Sequence, residues 1–158
     1  MKKLFVKMGD MKVAENSSLL VTLGLGSCVA VTIYDPEKRI GALLHFLLPE
    51  GDRKGSSPFK YGDNGIEMMI KTLENLGAQR NKMVAKLFGG ALMFAQLIKT
   101  PENSIGVRNL KKAREILNRL NIPIVGEDTN GDYGRSIEFN LIDGSVRVSS
   151  YKAGVKII

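Results

Sequence analysis

The sequence predicts an α+β fold of mixed β-sheets, with a hairpin carrying the candidate catalytic residues and two main helices flanking the sheets. Three observations carry this prediction. Short runs rich in Val, Ile, Leu and Thr, bounded by turn residues, fill the first half of the chain. Two longer segments with apolar residues at helical spacing come later. Strand-like runs then return near the end, so strands and helices do not alternate as a parallel α/β fold requires. The 158 residues suit one domain, 1–158, with a single core of ordinary size.

Residues 4–7, 19–23, 28–34 and 39–48 read as strands. Between the last two lies Asp35-Pro36-Glu37-Lys38, a type I turn signal with Asp at the first position and Pro at the second. The polar run 51–62, punctuated by Gly51, Gly55, Pro58 and Gly62, reads as an exposed loop. A helix follows, capped by Asp63 or Asn64, ended by Gly77, with Ile66, Met69, Ile70 and Leu73 on one face. Residues 83–88 form a strand running into Gly89-Gly90, then a short apolar helical turn over 91–98 and a loop over 99–104. A second amphipathic helix spans about 107–120, with Leu110, Ala113, Leu117 and Leu120 aligned. Residues 122–125, 136–142 and 146–151 complete the strands, the last two joined around Asp143-Gly144. Met68, Met69, Met83 and Met93 fall at spacings that suit core filling.

Composition narrows the function. Apolar residues make up 44% and charged residues 25%, the balance of a folded chain and not a disordered or fibrous one. A formal charge of +7 favours an acidic partner. The basic residues are scattered, though, and the densest group, Lys111, Lys112 and Arg114, reads as a solvated helix face; no motif indicates nucleic acid. A single Cys excludes an internal disulfide, so nothing points to an oxidising compartment. The opening run, residues 1–7, is basic but its apolar stretch is too short for a signal peptide. Residues 16–34 carry no charge over nearly a membrane span. They include Ser17, Ser18, Thr22, Gly24, Gly26, Ser27 and Thr32, however, which suits two buried strands joined by a glycine-rich turn. No membrane insertion is expected, and the cytoplasm is the expected compartment.

The one Cys and the one His are the chemically telling pair. Alone, each has a bland reading: a small buried hydrophobe and a satisfied core residue. A turn symmetric about Pro36-Glu37 changes that, because Tyr34 then faces Arg39 and, further out, Cys28 faces His45. Directly opposed residues hold their Cβ atoms roughly 4.5–5.5 Å apart on one face of the sheet. The same register puts Val29, Val31, Ile33, Ile40, Ala42 and Leu44 on one apolar face. Cys28, Ala30, Thr32, Tyr34, Arg39, Gly41, Leu43 and His45 share the other. A bulge or odd-length loop would break this arrangement.

Cys28 ends the run Gly24-Leu25-Gly26-Ser27-Cys28. Glycines before a nucleophile allow a tight turn whose backbone N–H groups, here around Gly26 and Ser27, converge as an oxyanion hole. A plain glycine turn between strands is the competing reading. A thiolate next to an imidazole is a nucleophile–base pair, and the base needs a third group to orient it. No Asp or Glu occurs over 16–34. Thr22 is the local candidate, through its hydroxyl or its carbonyl, and an ordinary strand threonine fits as well.

The run Val21 to Val31 (VTLGLGSCVAV), with His45 and Leu48-Pro49, resembles the active-site region of the CheD family of chemoreceptor glutamine deamidases. Further matches are Lys86-Leu87-Phe88-Gly89-Gly90-Ala91 with Met93, Ile105-Gly106-Val107-Arg108-Asn109, and Asp128 with Gly131 and Gly134-Arg135. One departure stands out: Asn130-Gly131 replaces the two adjacent glycines usual in the family. The resemblance implies Cys28, His45 and Thr22 as catalytic residues, and a fold similar to that of the cytotoxic necrotizing factor deamidases. It implies acyl transfer on receptor glutamines with ammonia released, chemoreceptor cytoplasmic domains as substrate, and the phosphatase CheC as a regulatory partner. That chemistry needs no metal or organic cofactor. Two alternatives stay open: a related Cys-dependent receptor methylesterase, and a non-catalytic binding module acting through chemotaxis partners.

Overall fold

Alternation along the strands sorts side chains onto two faces, and the tertiary structure buries both. The computed structural model describes residues 1–51, 57–94 and 99–158. The first five strands are β1 (Lys2–Phe5), β2 (Asp10–Glu15), β3 (Ser18–Leu25), β4 (Val29–Asp35) and β5 (Ile40–Phe46). Helix α1 (Gly62–Asn75), strand β6 (Val84–Gly89) and helix α2 (Ile105–Arg119) follow. Strands β7 (Ile124–Thr129), β8 (Arg135–Asn140), β9 (Val146–Ser150) and β10 (Gly154–Ile157) end the chain. They form two five-stranded sheets, ordered β1-β3-β8-β9-β10 and β2-β5-β4-β6-β7. The pairs β1–β3 and β6–β7 are parallel and the others antiparallel, so both sheets are mixed, as predicted.

Two cores result. Val29, Val31, Ile33, Ile40, Ala42, Leu44 and Phe46 of the β4–β5 hairpin pack against Ile66, Met69, Ile70 and Leu73 of α1 and Leu110, Ala113 and Leu117 of α2. The opposite face of the same hairpin supplies Ala30, Tyr34 and Leu43 to a second core, which they share with Leu20, Leu25, Ile137 and Phe139 of the other sheet. The predicted division of faces therefore holds. Every residue of β4 is buried, as are Ser18, Leu20, Val21, Thr22 and Leu25 of β3, so burial within the fold accounts for most of the charge-free run. Among the described residues, no helix is long and apolar enough to cross a membrane.

The hairpin register is not the predicted one. Asp35 pairs with Ile40 and Tyr34 with Gly41, so His45 lies opposite Ala30 and not Cys28. Asp35 causes the difference. Its carboxylate accepts from the N–H groups of Glu37 and Lys38, and its carbonyl accepts from the N–H of Arg39 at 2.8 Å. Arg39 takes a left-handed conformation, φ 53°, and closes a four-residue loop. The register moves by two residues in total, an even shift that leaves the strand side chains on their predicted faces and puts Arg39 in the exposed loop.

Other boundaries were corrected by context. Strands β2 and β10 are edge strands whose half-polar sequences carry little apolar signal. Helix α1 begins at Gly62 with Tyr61 at its N-cap, so neither Asp63 nor Asn64 caps it. Gly77 does end it, at φ 101°. Helix α2 starts at Ile105, where the Ser104 hydroxyl accepts from the N–H of Val107. Met69 and Met83 fill the core, whereas Met68 is exposed and Met93 packs beside Gly26. Part of the predicted 51–62 loop and of the 91–98 turn lies outside the described residues; within the first, Pro58–Lys60 forms a 3-10 turn.

Candidate active site

His45 sits near the end of β5, its ring on the face turned toward the other sheet. It is 3% exposed. Its Nδ1 lies 2.7 Å from Oγ1 of Thr22, which reaches across from β3. The same Oγ1 donates to the carbonyl of Val6 at 2.6 Å. A hydroxyl has one proton and a carbonyl only accepts, so Thr22 gives its proton to Val6 and accepts from Nδ1–H. The imidazole is thereby held as the Nδ1–H tautomer, with the Nε2 lone pair bare. Nε2 is buried and has no hydrogen-bond partner among the described residues. Burial pushes the His45 pKa from 6.5 down to about 4, so the ring is neutral at physiological pH.

A bulge in β3 positions Thr22. Thr22 pairs with Ile137 and Leu25 with Arg135, so three steps on β3 match two on β8. Gly24, at φ 67°, makes the extra residue possible. Thr22 and Leu25 both point inward, and Leu23 is left exposed.

Cys28 follows in the connection from β3 to β4 and is half-buried. Desolvation by burial raises its pKa, and its own backbone N–H acts in the opposite sense. Its Sγ lies 3.8 Å from Sδ of Met8, in the turn that joins β1 to β2. It makes no hydrogen bond to His45 Nε2 in this structure. Gly26 and Ser27 form the turn before it, and the N–H groups of Ser27 and Cys28 meet no main-chain acceptor among the described residues.

The loop after β6 fixes this turn from behind. The N–H of Gly90 donates to the Cys28 carbonyl and that of Ala91 to the Gly26 carbonyl, both at 2.9 Å. Gly89 has φ 94°, and a Cβ there would collide with the Cys28 carbonyl oxygen. Leu92 in turn donates to Gly131, and Asn130 to Gly89. Asn130 and Gly131 both adopt left-handed conformations, at φ 67° and 73°, so Asn at 130 keeps the turn that two glycines would make. The buried Arg135 guanidinium donates to the carbonyls of Asp128 and Asn130, both at 2.6 Å, and closes the loop.

Three contributors have roles that the sequence did not reveal: the Val6 carbonyl, the Arg135 clamp and Asn109, the last two quoted above only as parts of family motifs. Asn109 is fully buried, and its Nδ2 donates to the carbonyls of Ser27 and Leu47 at 3.1 and 2.9 Å. Its signal was a carboxamide one helical turn before Ala113 on the apolar face of α2. Among the described residues, no group of three or more His, Cys, Asp and Glu gathers to hold a metal ion.

A thiol on a glycine turn, with a tautomer-locked imidazole on the same sheet face, is the equipment of a cysteine-based acyl-transfer hydrolase. The chain belongs to the CheD family: the family described as "CheD chemotactic sensory transduction" matches residues 47–150. A "Probable chemoreceptor glutamine deamidase CheD" of Caldanaerobacter subterraneus subsp. tengcongensis is 42% identical, over 99% of this chain and 98% of that one. One of the same name from Pyrococcus abyssi is 43% identical, over 97% and 94%. Among solved structures, the Bacillus licheniformis hypothetical protein YfiH superimposes with a TM-score of 0.49 at 12% identity, covering 78% of this chain and 50% of that one.

Proposed function

We propose that this protein is a chemoreceptor glutamine deamidase in which Cys28 is the nucleophile, His45 the general base and acid, and Thr22 the group that orients His45. Family membership supports the substrate and the reaction. The observation that carries the site is the Val6–Thr22–His45 chain, which leaves Nε2 bare on the face that Cys28 shares.

With a raised thiol and a lowered imidazole, the resting pair is neutral, and nucleophile activation accompanies attack. The Cys28 side chain turns from Met8 toward Nε2, which takes the thiol proton as Sγ bonds to the side-chain amide carbon of a glutamine. The N–H of Cys28, with that of Ser27, receives the oxyanion. His45 returns the proton to the amide nitrogen, the C–N bond breaks and ammonia leaves. Water, deprotonated by His45, then cleaves the thioester to glutamate and free thiol. A single CheD-like domain over 1–158, a cytoplasmic site of action, a regulatory CheC-like phosphatase and an architecture shared with cytotoxic necrotizing factor-like hydrolases belong to this proposal on the strength of the family resemblance.

Incubation with a purified receptor cytoplasmic fragment, read by ammonia release and by mass spectrometry of Gln-to-Glu conversion, tests it. Wild type converts glutamine, and Cys28→Ala lowers the rate by about 10⁴-fold or more. Conversion undiminished in Cys28→Ala rules out the nucleophile; release of methanol but no ammonia shows an esterase instead.

A further inference from the structure

Asn109 lies on α2, on the far side of the sheet from the His45 ring, and yet it grips both halves of the site. Its Nδ2 faces two carbonyls, which only a donor can satisfy, so the carboxamide orientation is determined. One carbonyl belongs to Ser27, the residue before the thiol; the other belongs to Leu47, two residues beyond His45. The Ser27–Cys28 peptide is trans, and in a trans peptide C=O and N–H point opposite ways. Pulling the Ser27 carbonyl toward α2 therefore turns the Cys28 N–H away from the helix layer. It then faces the side of the sheet where the thiol and His45 lie, and among the described residues it meets no main-chain acceptor there.

The close approach of α2 is itself built in. A Cβ on Gly106 would stand 2.6 Å from the carbonyl oxygens of both Gly90 and Ala91. Glycine at that position lets the first turn of α2 rest on the loop after β6, within reach of Ser27. Among the described residues, the Oδ1 of Asn109 is buried and meets no hydrogen-bond partner, a cost that a purely space-filling residue would not incur.

We propose that Asn109 is a positioning residue for the deamidation, acting through the Ser27 carbonyl to aim the Cys28 N–H at the oxyanion. This rests on the reading of Cys28 as nucleophile. Loss of the clamp weakens stabilisation of the tetrahedral intermediate, which forms only during turnover. It leaves substrate binding in place and affects simple displacement at the thiol far less than turnover.

The test compares two reactions of the same sulfur. Deamidation of a receptor fragment needs the oxyanion donor, whereas alkylation by iodoacetamide, a simple displacement, does not. Asn109→Leu keeps the volume and removes both donated bonds. The expected result is a kcat lower by about 10²-fold, with KM within about twofold of wild type and an alkylation rate that changes far less than kcat. Asn109→Asp keeps the outline and, protonated between two carbonyls, one donor; its kcat falls between those of wild type and Asn109→Leu. It is the variant to read if the leucine form does not fold. An unchanged kcat, or an alkylation rate that falls in step with kcat, overturns the proposal, as does failure of both variants to fold. Cys28→Ala run alongside separates the two readings. Deamidation that survives it removes the nucleophile assignment, and deamidation lost there but intact in Asn109→Leu removes this proposal alone.

Discussion

His45 and Cys28 are seventeen residues apart in the chain, and the structure treats them in opposite ways. His45 stands inside a fully buried strand, its Nδ1 tied through Thr22 to the Val6 carbonyl. Cys28 stands in a half-exposed turn, its sulfur against Met8 and its backbone held from behind by Gly90, Ala91 and Asn109. The base is preset by its side chain; the nucleophile is preset by its main chain. The difference follows from what each must do. An imidazole must keep one tautomer and one direction, which a buried hydrogen-bond chain enforces. A thiol must meet a substrate, so only its backbone can be held rigidly without closing the site.

The largest way to test that contrast is His45→Gln, which retains a hydrogen-bonding side chain but no base of suitable pKa. The expected kcat loss is about 10³-fold or more, read by ammonia release. A loss below about tenfold would place the base elsewhere.

Burial of His45 also makes stability pH-dependent. Between pH 6.5 and about 4 the unfolded chain binds a proton that the folded imidazole refuses. Stability is therefore full above pH 6.5 and drains as pH falls toward about 4, by on the order of 3 kcal/mol. Denaturant titrations at stepped pH measure this, and in His45→Gln the slope between pH 6.5 and about 5 shrinks, the carboxylates with lowered pKa still contributing nearer pH 4. The kcat/KM of wild type falls over the same acid limb, with an apparent pKa near the lowered value.

Thr22→Val comes next. It keeps the shape, frees the imidazole from its tautomer lock and leaves the Val6 carbonyl unpartnered, so kcat drops by about 10- to 100-fold. If Thr22→Ser restores activity and Thr22→Val does not, the hydroxyl is the working group and the carbonyl is excluded.

The smallest effect belongs to the nucleophile side. Met8→Ala removes the sulfur's neighbour without touching the backbone clamps, and alkylation of Cys28 by iodoacetamide rises by about two- to fivefold as exposure increases. The thermal midpoint stays within about 2 °C, because Met8 is an exposed side chain. A large fall in stability would show that Met8 belongs to the packing of the site.

Much of this was legible in the sequence, for identifiable reasons. Ile66, Met69, Ile70 and Leu73 on α1, and the two faces of the β4–β5 hairpin, follow from apolar periodicity, which burial enforces. The hairpin's faces survived although its pairing did not: the four-residue loop expected over 35–38 falls at 36–39, where Asp35 and Arg39 close it, and an even shift conserves faces. Edge strand β10 was missed because a strand exposed along its length has no apolar alternation to read. Cys28, His45 and Thr22 were found as residue types in a local context. The opposed pairing that first linked Cys28 to His45 was replaced by His45 opposite Ala30.

The sequence by itself determined the α+β class, the faces of the hairpin, the glycine turn before Cys28 and membership of a family. These are local or periodic properties, and chain neighbours are enough to encode them. Only the tertiary structure decided which of Thr22's two oxygens meets His45, that Val6 takes the hydroxyl proton, and that Asn109 holds the peptide before Cys28. Those contacts join residues 16, 23 and 82 positions apart in the chain. Two of the acceptors are backbone carbonyls, which every residue carries and which no sequence pattern distinguishes until packing brings them into reach.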